Sequence, residues 1–403
     1  MSKRDSIGIL FLSTPYASPV PARHSQRLIS YLAPLCHKLI VVGDQRIDLS
    51  ALPAHVQRLG KLPTLHRREE LQPAVRSTLL WFAKLAWIWL KVIWAVMATW
   101  RQVQVIVIFL DLLYTPAFLL GRLLGKKIIY FEPTGTMVDD RLIFGESVVG
   151  KLWVVVRRWV RGINRHLAHI LVIESWQEIE QGELKPYLKK VRLAPPHIDL
   201  DIFRSLQPFE HRPRLIGFVG RLSKGKGIME LLQASALLRD RGIALRIVGE
   251  GELHSDVLQA LRQPEHSHVE YVGWADQQEL IRHLSDFRLL VLPTAGEGMS
   301  NIVMEAMACG TPVLATSVGG IPDLIKHQET GFILPDRTPE SIAQAIQEAL
   351  SYPALAEVAR AGQEHIRHHY TFQVVMQCWQ TILEETGENK PSKEQSDETG
   401  LDR

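Results

Sequence analysis

The amino-acid sequence predicts an α/β protein made of two Rossmann-like domains. Three observations carry that prediction. Short apolar runs alternate with helix-length segments from the start of the chain, as IGILFL, KLIVVG, VQVIVIFL, KIIYF, HILVIE and KKVRLA. The rhythm pauses near residues 200–214, at DIFRSLQPFEHRPR, a polar stretch with Pro208 and Pro213 that reads as an interdomain linker. It then restarts with LIGFVG, ALRIVG, HVEYVG, FRLLVLP and TPVLAT. Continuous apolar strands in this rhythm belong to parallel sheets covered on both faces. A chain of 403 residues is long for one domain and comfortable for two.

The elements follow in order. The start, MSKRDSIGILFLSTPY, has an apolar core of five residues. That is too short for a signal-peptide core and suits a first strand. Residues 1–200 are expected to form an N-terminal domain and residues 214–369 a C-terminal domain. A helix at about 370–385 is expected to pack back on the first domain. Within the second domain, GKGIMELLQASALLRDRG and PESIAQAIQEALSY read as helices; the latter carries Ile342, Ala345, Ile346, Ala349 and Leu350 at helical spacing. The tail 387–403 is charged and nearly free of apolar residues, so disorder is expected there. Ligands of such sheets sit at the carboxyl ends of the strands, which in a two-domain protein means the cleft between the domains.

Composition narrows the function. Hydrophobic content of 46% against 22% charged residues marks a globular chain rather than a disordered one. The net charge of +3 hides an asymmetry: residues 1–200 carry +12 and the remainder −9. The N-terminal half therefore favours an anionic neighbour. Nucleic acid is a poor fit, because that half lacks a pattern of stacking aromatics on strands. Cys36, Cys309 and Cys378 are odd in number and widely spaced, which argues against a disulfide framework or a zinc site and for a reducing compartment.

The stretch PTAGEGMSNIVMEAMACGTPVLATSVGGIPDLI is the most informative. Seven residues separate Glu297 from Glu305, and the loop between them opens a helix near Ser300 or Asn301, both good N-caps. A helix start offers free N–H groups and a positive dipole end, which suits a phosphate. One carboxylate can accept from sugar hydroxyls and the other from ribose hydroxyls. The same spacing also fits a capped surface helix with incidental acids. A second feature, GFVGRLSKGKG, lies between a strand and a helix. Arg221 brings a fork of donors and Lys226 a point charge, together suited to a pyrophosphate. They would offset charge building on a departing nucleoside diphosphate, a task metals perform elsewhere. Alone, this segment fits a solvated basic loop equally well.

Read together, FVGRLSKGKG, IVGEGELHSDVL, YVGWADQQEL, EGMSNIVMEAMACGTPVLATSVGGIPDLI and GFILP resemble glycosyltransferase family 4 in both content and order. The resemblance covers residues 215–335 closely and the rest more loosely. It implies the two-domain GT-B fold and transfer of a sugar from a nucleotide-sugar donor with retention, using neither metal nor cofactor. By that resemblance Arg221 and Lys226 bind the diphosphate, Glu305 the ribose, and Glu297 the transferred sugar. Backbone amides of Gly298, Met299, Ser300 and Asn301 hold donor oxygens, and Tyr271, Val272 and Gly273 lie near the base. The N-terminal half departs from the pattern. The loop STPYASPVPARHSQ has no glycine where family members often carry a pair. The strand ending IIYFEPTGT offers Glu132 where many have a histidine. Glu132 is thus a candidate for orienting an acceptor hydroxyl or sensing positive charge at the reacting sugar, and equally an ordinary strand-end carboxylate. DLD at Asp199–Asp201 imitates the metal pair of a different glycosyltransferase fold but sits beside the linker. The 16 histidines, His197 included, show no metal-ligand spacing.

Residues 79–100, LLWFAKLAWIWLKVIWAVMATW, hold five of the ten tryptophans, and Lys84 and Lys91 share one helical face. Three readings fit: a buried domain helix, a helix lying in an anionic membrane interface, and a membrane span. A span would interrupt the α/β rhythm. The sequence thus predicts a cytoplasmic glycosyltransferase with a hydroxyl acceptor, lipid-linked or polysaccharide; on the interfacial reading of residues 79–100 it is peripheral at the inner membrane face, and on the buried-helix reading it is not. A nucleotide-sugar epimerase of the same fold and a non-catalytic sugar- or nucleotide-binding module are the alternatives.

Overall fold

The computed structural model describes residues 7–13, 19–43, 46–62, 75–109, 114–132, 148–180 and 184–387. The tail 388–403, for which disorder is expected, lies outside the described residues. By its contacts the chain divides into two units. One comprises Met1–Phe131, Arg157–Leu171 and Met376–Arg403, the other Glu132–Val156 and Val172–Val375.

Seven strands form the N-terminal sheet: β1 (Gly8–Leu12), β2 (Lys38–Gly43), β3 (Val56–Lys61), β4 (Val105–Phe109), β5 (Lys127–Glu132), β6 (Ile170–Ile173) and β7 (Val191–Leu193). Their order is β3-β2-β1-β4-β5-β6-β7, and the pairings among β1–β5 are parallel. β1 and β4 are buried along their whole length, as the continuous apolar runs require. β3 went unread in the sequence because VQRLGK is polar. It is an edge strand, where one side of the ladder and part of one face need no apolar cover.

The helix Val75–Thr99 contains the tryptophan-rich segment. It buries Ile88, Val92, Ala95, Val96 and Thr99, a stripe at helical spacing. The opposite face stays in solvent, with Trp87, Leu90 and Trp94 each more than half exposed (53%, 59% and 56%). The segment is thus a domain helix with an uncovered apolar side. No helix among the described residues is long and apolar enough to cross a membrane. At the other end of the chain, Trp379 of the helix Phe372–Gly387 is fully buried and its ring lies 6.0 Å from that of Phe131.

The second sheet has six strands: β8 (Leu215–Val219), β9 (Ala244–Val248), β10 (Val269–Gly273), β11 (Leu289–Leu292), β12 (Val313–Thr316) and β13 (Phe332–Leu334). All its pairings are parallel, in the order β10-β9-β8-β11-β12-β13. This is the Rossmann order, with its reversal between β8 and β11. The core is aliphatic, drawn from both faces of β8, β11 and β12 and from helices such as Ile228–Leu237 and Asn301–Ala308.

The polar stretch 200–214 falls inside the second unit and is bound along it. Arg212 is buried and donates to the carbonyls of Phe287 and Cys309 and to the hydroxyls of Thr311 and Ser205. Burial lowers its guanidinium pKa to about 10, so it stays charged, held by four acceptors.

Candidate functional site at the β8–β11 switch

A parallel sheet points the carboxyl ends of its strands at one edge, and a reversal of strand order opens a crevice there. The two most informative motifs are the loops that follow β8 and β11. They lie 70 residues apart in sequence yet meet, because β8 and β11 are neighbours in the sheet.

Backbone contacts fix that meeting. The amide of Ala295 donates to the carbonyl of Gly225 at 2.7 Å, and the Thr294 hydroxyl reaches the same carbonyl at 3.2 Å. Gly227, at φ 72°, has its missing Cβ position 2.1 Å from the Pro293 carbonyl oxygen. Any side chain there would force the two loops apart. Arg337 bolts the arrangement from below. Its Nε donates to the Pro293 carbonyl at 2.7 Å while its Nη2 pairs with Glu230 at 2.8 Å. The loop after β9 joins in, for Gly220 donates to Val248 and Leu222 to Glu250, each at 3.0 Å.

On this platform Lys226 Nζ meets Glu297 Oε2 at 2.5 Å, with the side chains 29% and 17% exposed. An ammonium has three donors and this pair uses one, so two remain for an incoming acceptor. Arg221 is exposed and makes no hydrogen bond or ion pair among the described residues, leaving its fork of donors at the same edge.

From Glu297 the chain runs through Gly298 and buried Met299 to Ser300, which occupies the N-cap position of the helix Asn301–Ala308. Ser300 is the cap residue the sequence suggests, but its hydroxyl makes no capping bond. Buried, it has no hydrogen-bond partner. A buried orphan hydroxyl beside uncapped helix N–H groups is the donor set that a phosphate or sugar oxygen needs. Glu305 is half-buried about one turn into the helix, and its carbonyl accepts from Cys309.

A contact that the sequence reading missed holds this loop from the far side. Gly319 has φ 57°, and its missing Cβ position lies 1.8 Å from the Glu297 carbonyl oxygen. Its neighbour Gly320 donates to the Gly298 carbonyl at 3.1 Å. The Gly-Gly pair in SVGGIPDLI was visible as a turn signal, but not which backbone it would lie against.

Tyr271, Val272 and Gly273 end β10, two strands from β8 on the same edge. The Tyr271 hydroxyl donates to the Gly249 carbonyl at 3.1 Å and lies 3.0 Å from His254 Nδ1, whose ring stands edge-on at 5.4 Å. Burial raises the phenol above its ordinary pKa, which keeps it a neutral donor. Its side chain therefore holds the loop after β9, while Val272 and the following Trp274 present surface, Trp274 at 71% exposure. Glu132 is buried at the carboxyl end of β5, in the other sheet. Glu174, unremarked in the sequence, is likewise buried just past β6, the neighbouring strand.

The other suggestive residues have structural employment. Asp199 Oδ1 accepts from the amides of Asp201 and Ile202 and so closes a turn. His197 stands edge-on to Phe372 at 5.3 Å. Among the described residues no group of three or more His, Cys, Asp or Glu is placed to hold a metal.

With this geometry in hand, the comparisons with known proteins agree with one another. The overall architecture is that of the GT-B glycosyltransferases. Anabaena HepE, solved with UDP, superposes with a TM-score of 0.71 at 16% identity, covering 94% of this chain and all of that one. Residues 213–352, which hold the whole β8–β11 site, match the family described as glycosyl transferases group 1. D-inositol 3-phosphate glycosyltransferase of Jonesia denitrificans is 31% identical over 46% of this chain and 49% of its own length. The capsular polysaccharide biosynthesis glycosyltransferase CapM of Staphylococcus aureus is 28% identical over 43% and 47%. The matched region thus spans about half the length of these curated relatives. Residues 213–352 are thus similar to a group 1 glycosyltransferase domain, and the two parallel-sheet α/β domains have the GT-B fold.

Proposed function

We propose that the protein is a retaining glycosyltransferase that moves a sugar from a nucleotide-sugar donor to a hydroxyl acceptor without a metal. One observation carries the reading: the Lys226–Glu297 pair, held at the strand-order reversal beside an uncapped helix start. Arg221 and Lys226 take the diphosphate, and the amides of residues 298–301 with the Ser300 hydroxyl take its remaining oxygens. As the sugar–oxygen bond breaks, negative charge gathers on the departing nucleoside diphosphate. Two cations and a helix N-terminus already aimed there lower the barrier without reorganising. Glu297 orients the sugar, Glu305 accepts from the ribose, and Tyr271–Gly273 border the base. Glu132 stands on the acceptor side. HepE, solved with UDP and with UDP-glucose, supports a donor of that class.

The exposed tryptophan face and the +12 charge of residues 1–200 support a peripheral position on an anionic, cytoplasmic membrane face. An acceptor carried by a lipid would suit that position.

The test is turnover of a panel of nucleotide sugars by wild type, Lys226→Ala and Arg221→Ala. Each variant should keep its circular dichroism and lose about 10²–10³-fold in kcat, the cost of removing one preorganised transition-state donor. Wild-type rates in both would remove the assignment. Activity is expected in excess EDTA, and loss there that magnesium or manganese restores would refute the metal-free step. NMR of the product reads the anomeric outcome. Inversion would refute retention, and product formed from donor alone would favour an epimerase.

A further inference from the structure

The edge of the N-terminal sheet carries a groove of about 430 Å³ between β3 and the Val75–Thr99 helix. Val42, Leu59 and Gly60 line one side, and Trp87, Leu90 and Trp94 the other. Lys91 is the single charged residue of the lining among the described residues. In a regular strand Leu59 and Gly60 would face opposite ways. Here the β2–β3 register slips, with Val41 opposite Arg58 and Val42 opposite Gly60, so Leu59 is the extra residue of a bulge. The bulge is what lets consecutive residues border one groove. Gly60 leaves it open: a Cβ built there meets nothing within 4 Å.

The chemistry of the walls selects the occupant. Apart from Lys91 and the indole N–H groups of Trp87 and Trp94, the described walls offer no side-chain hydrogen-bonding group and no acceptor, so a sugar, a nucleotide or another polar ligand would lose most of its hydration without compensation. The volume lies in the range of small-ligand sites, about 300–1,000 Å³. Lys91 Nζ lies 5.6 Å from the Trp87 ring centroid, and Arg101 and Lys126 lie 5.0 and 6.0 Å from that of Trp100. Residues 75–126 carry six Lys and Arg and one carboxylate, Asp111. An apolar slot with Lys91 in its wall, opening on an exposed tryptophan face of a helix whose end carries further cations, is complementary to an anionic amphiphile.

We propose that this groove takes one hydrocarbon chain of an anionic membrane lipid, with the Lys91 ammonium at its mouth meeting the head-group phosphate. The proposal rests on the membrane-interfacial reading of the same helix and adds to it a discrete, saturable lipid site.

Dodecyl phosphate below its aggregation concentration is the probe, titrated into the full chain by calorimetry, with dodecanol as the uncharged comparison. Sedimentation with phosphatidylglycerol–phosphatidylcholine vesicles reads membrane binding separately. One equivalent of dodecyl phosphate should bind saturably. Gly60→Leu, which fills the groove, should weaken it at least tenfold and leave vesicle sedimentation intact. Lys91→Gln should weaken dodecyl phosphate more than dodecanol. Independently of any groove-filling variant, a terminally brominated dodecyl phosphate should quench tryptophan emission in wild type, and the Trp87→Phe, Trp94→Phe pair should remove most of that quenching. Absence of saturable binding, or Gly60→Leu binding with wild-type affinity, would overturn the site even if vesicles bind. Gly60-dependent binding of dodecyl phosphate by a protein that ignores vesicles would overturn the membrane as the source of the chain.

Discussion

Gly319→Ala tests whether the loop at Glu297 and Gly298 is held by the backbone contact described above. Two costs add. At φ 57° an alanine sits in the left-handed region, worth about 1–2 kcal/mol. Its Cβ would also lie 1.8 Å from the Glu297 carbonyl oxygen. Backbone cannot swing aside as a side chain does, so relief requires moving either residues 297–298 or the 317–320 turn by more than about 1 Å. Overpacking of this kind costs about 1–3 kcal/mol. The total, about 2–5 kcal/mol, corresponds to a fall in Tm of roughly 4–20 °C for a unit of this size. The kinetic effect should be larger in proportion, because a misplacement of about 1 Å at a reacting group can cost about 10²-fold. Gly320→Ala is the comparison. Gly320 has φ −82°, and its new Cβ meets the flexible Met299 sulfur at 2.8 Å and the Gly298 carbonyl oxygen and Met299 Cα each at 3.2 Å, contacts that need far less movement than the 1.8 Å clash at Gly319. It should lose less on both measures. Differential scanning fluorimetry with and without UDP, together with initial rates, reads both effects. A Gly319→Ala protein with wild-type Tm and wild-type kcat/KM would refute the claim that this contact sets the position of Glu297.

Two further outcomes follow from titratable groups. Burial first, then His369, lowers the His365 pKa to about 4 from 6.5. The folded state therefore resists a proton that the unfolded chain accepts. This stability is fully present above pH 6.5 and is lost as pH falls toward 4, on the order of 2–3 kcal/mol. Tm measured across that window should fall, and His365→Gln, which can still donate to the Asp323 carbonyl as His365 Nε2 does at 3.2 Å, should fall less. Equal slopes would refute the assignment. Burial also pushes the Cys36 and Cys309 thiols up to about 12 and raises Cys378. Native protein should thus react slowly with a disulfide reagent at neutral pH and fully in denaturant. Rapid native labelling of Cys309, which has no exposed surface, would show that the 301–308 helix opens more readily than its packing implies.

Much of the second unit is legible in the chain because its strands are buried on both faces and read as unbroken apolar runs. LIGFVG and FRLLVLP need no partner to be recognised. The helix at 301–308 announces itself through Ser300, although its hydroxyl leaves the cap undone. β3 hid because VQRLGK is polar, which its edge position tolerates, and the groove beside it hid further, since a bulge depends on pairing register. Arg337 and Gly319 hid for a related reason. Each acts on carbonyls of loops distant in sequence, and a carbonyl leaves no mark in the residue letters.

The charges and hydroxyl acceptors proposed for donor binding, Arg221, Lys226, Glu297 and Glu305, were named as candidates from sequence alone, through residue type and motif order. So was the unusual apolarity of 79–100. Only the tertiary structure decided that Lys226 and Glu297 form a 2.5 Å pair and that one face of the tryptophan helix is left uncovered. The physical reason is common to both. Strand order and packing are set by burial summed over whole sheets, so proximity between residues far apart in the chain is a property of the assembled core rather than of any local segment.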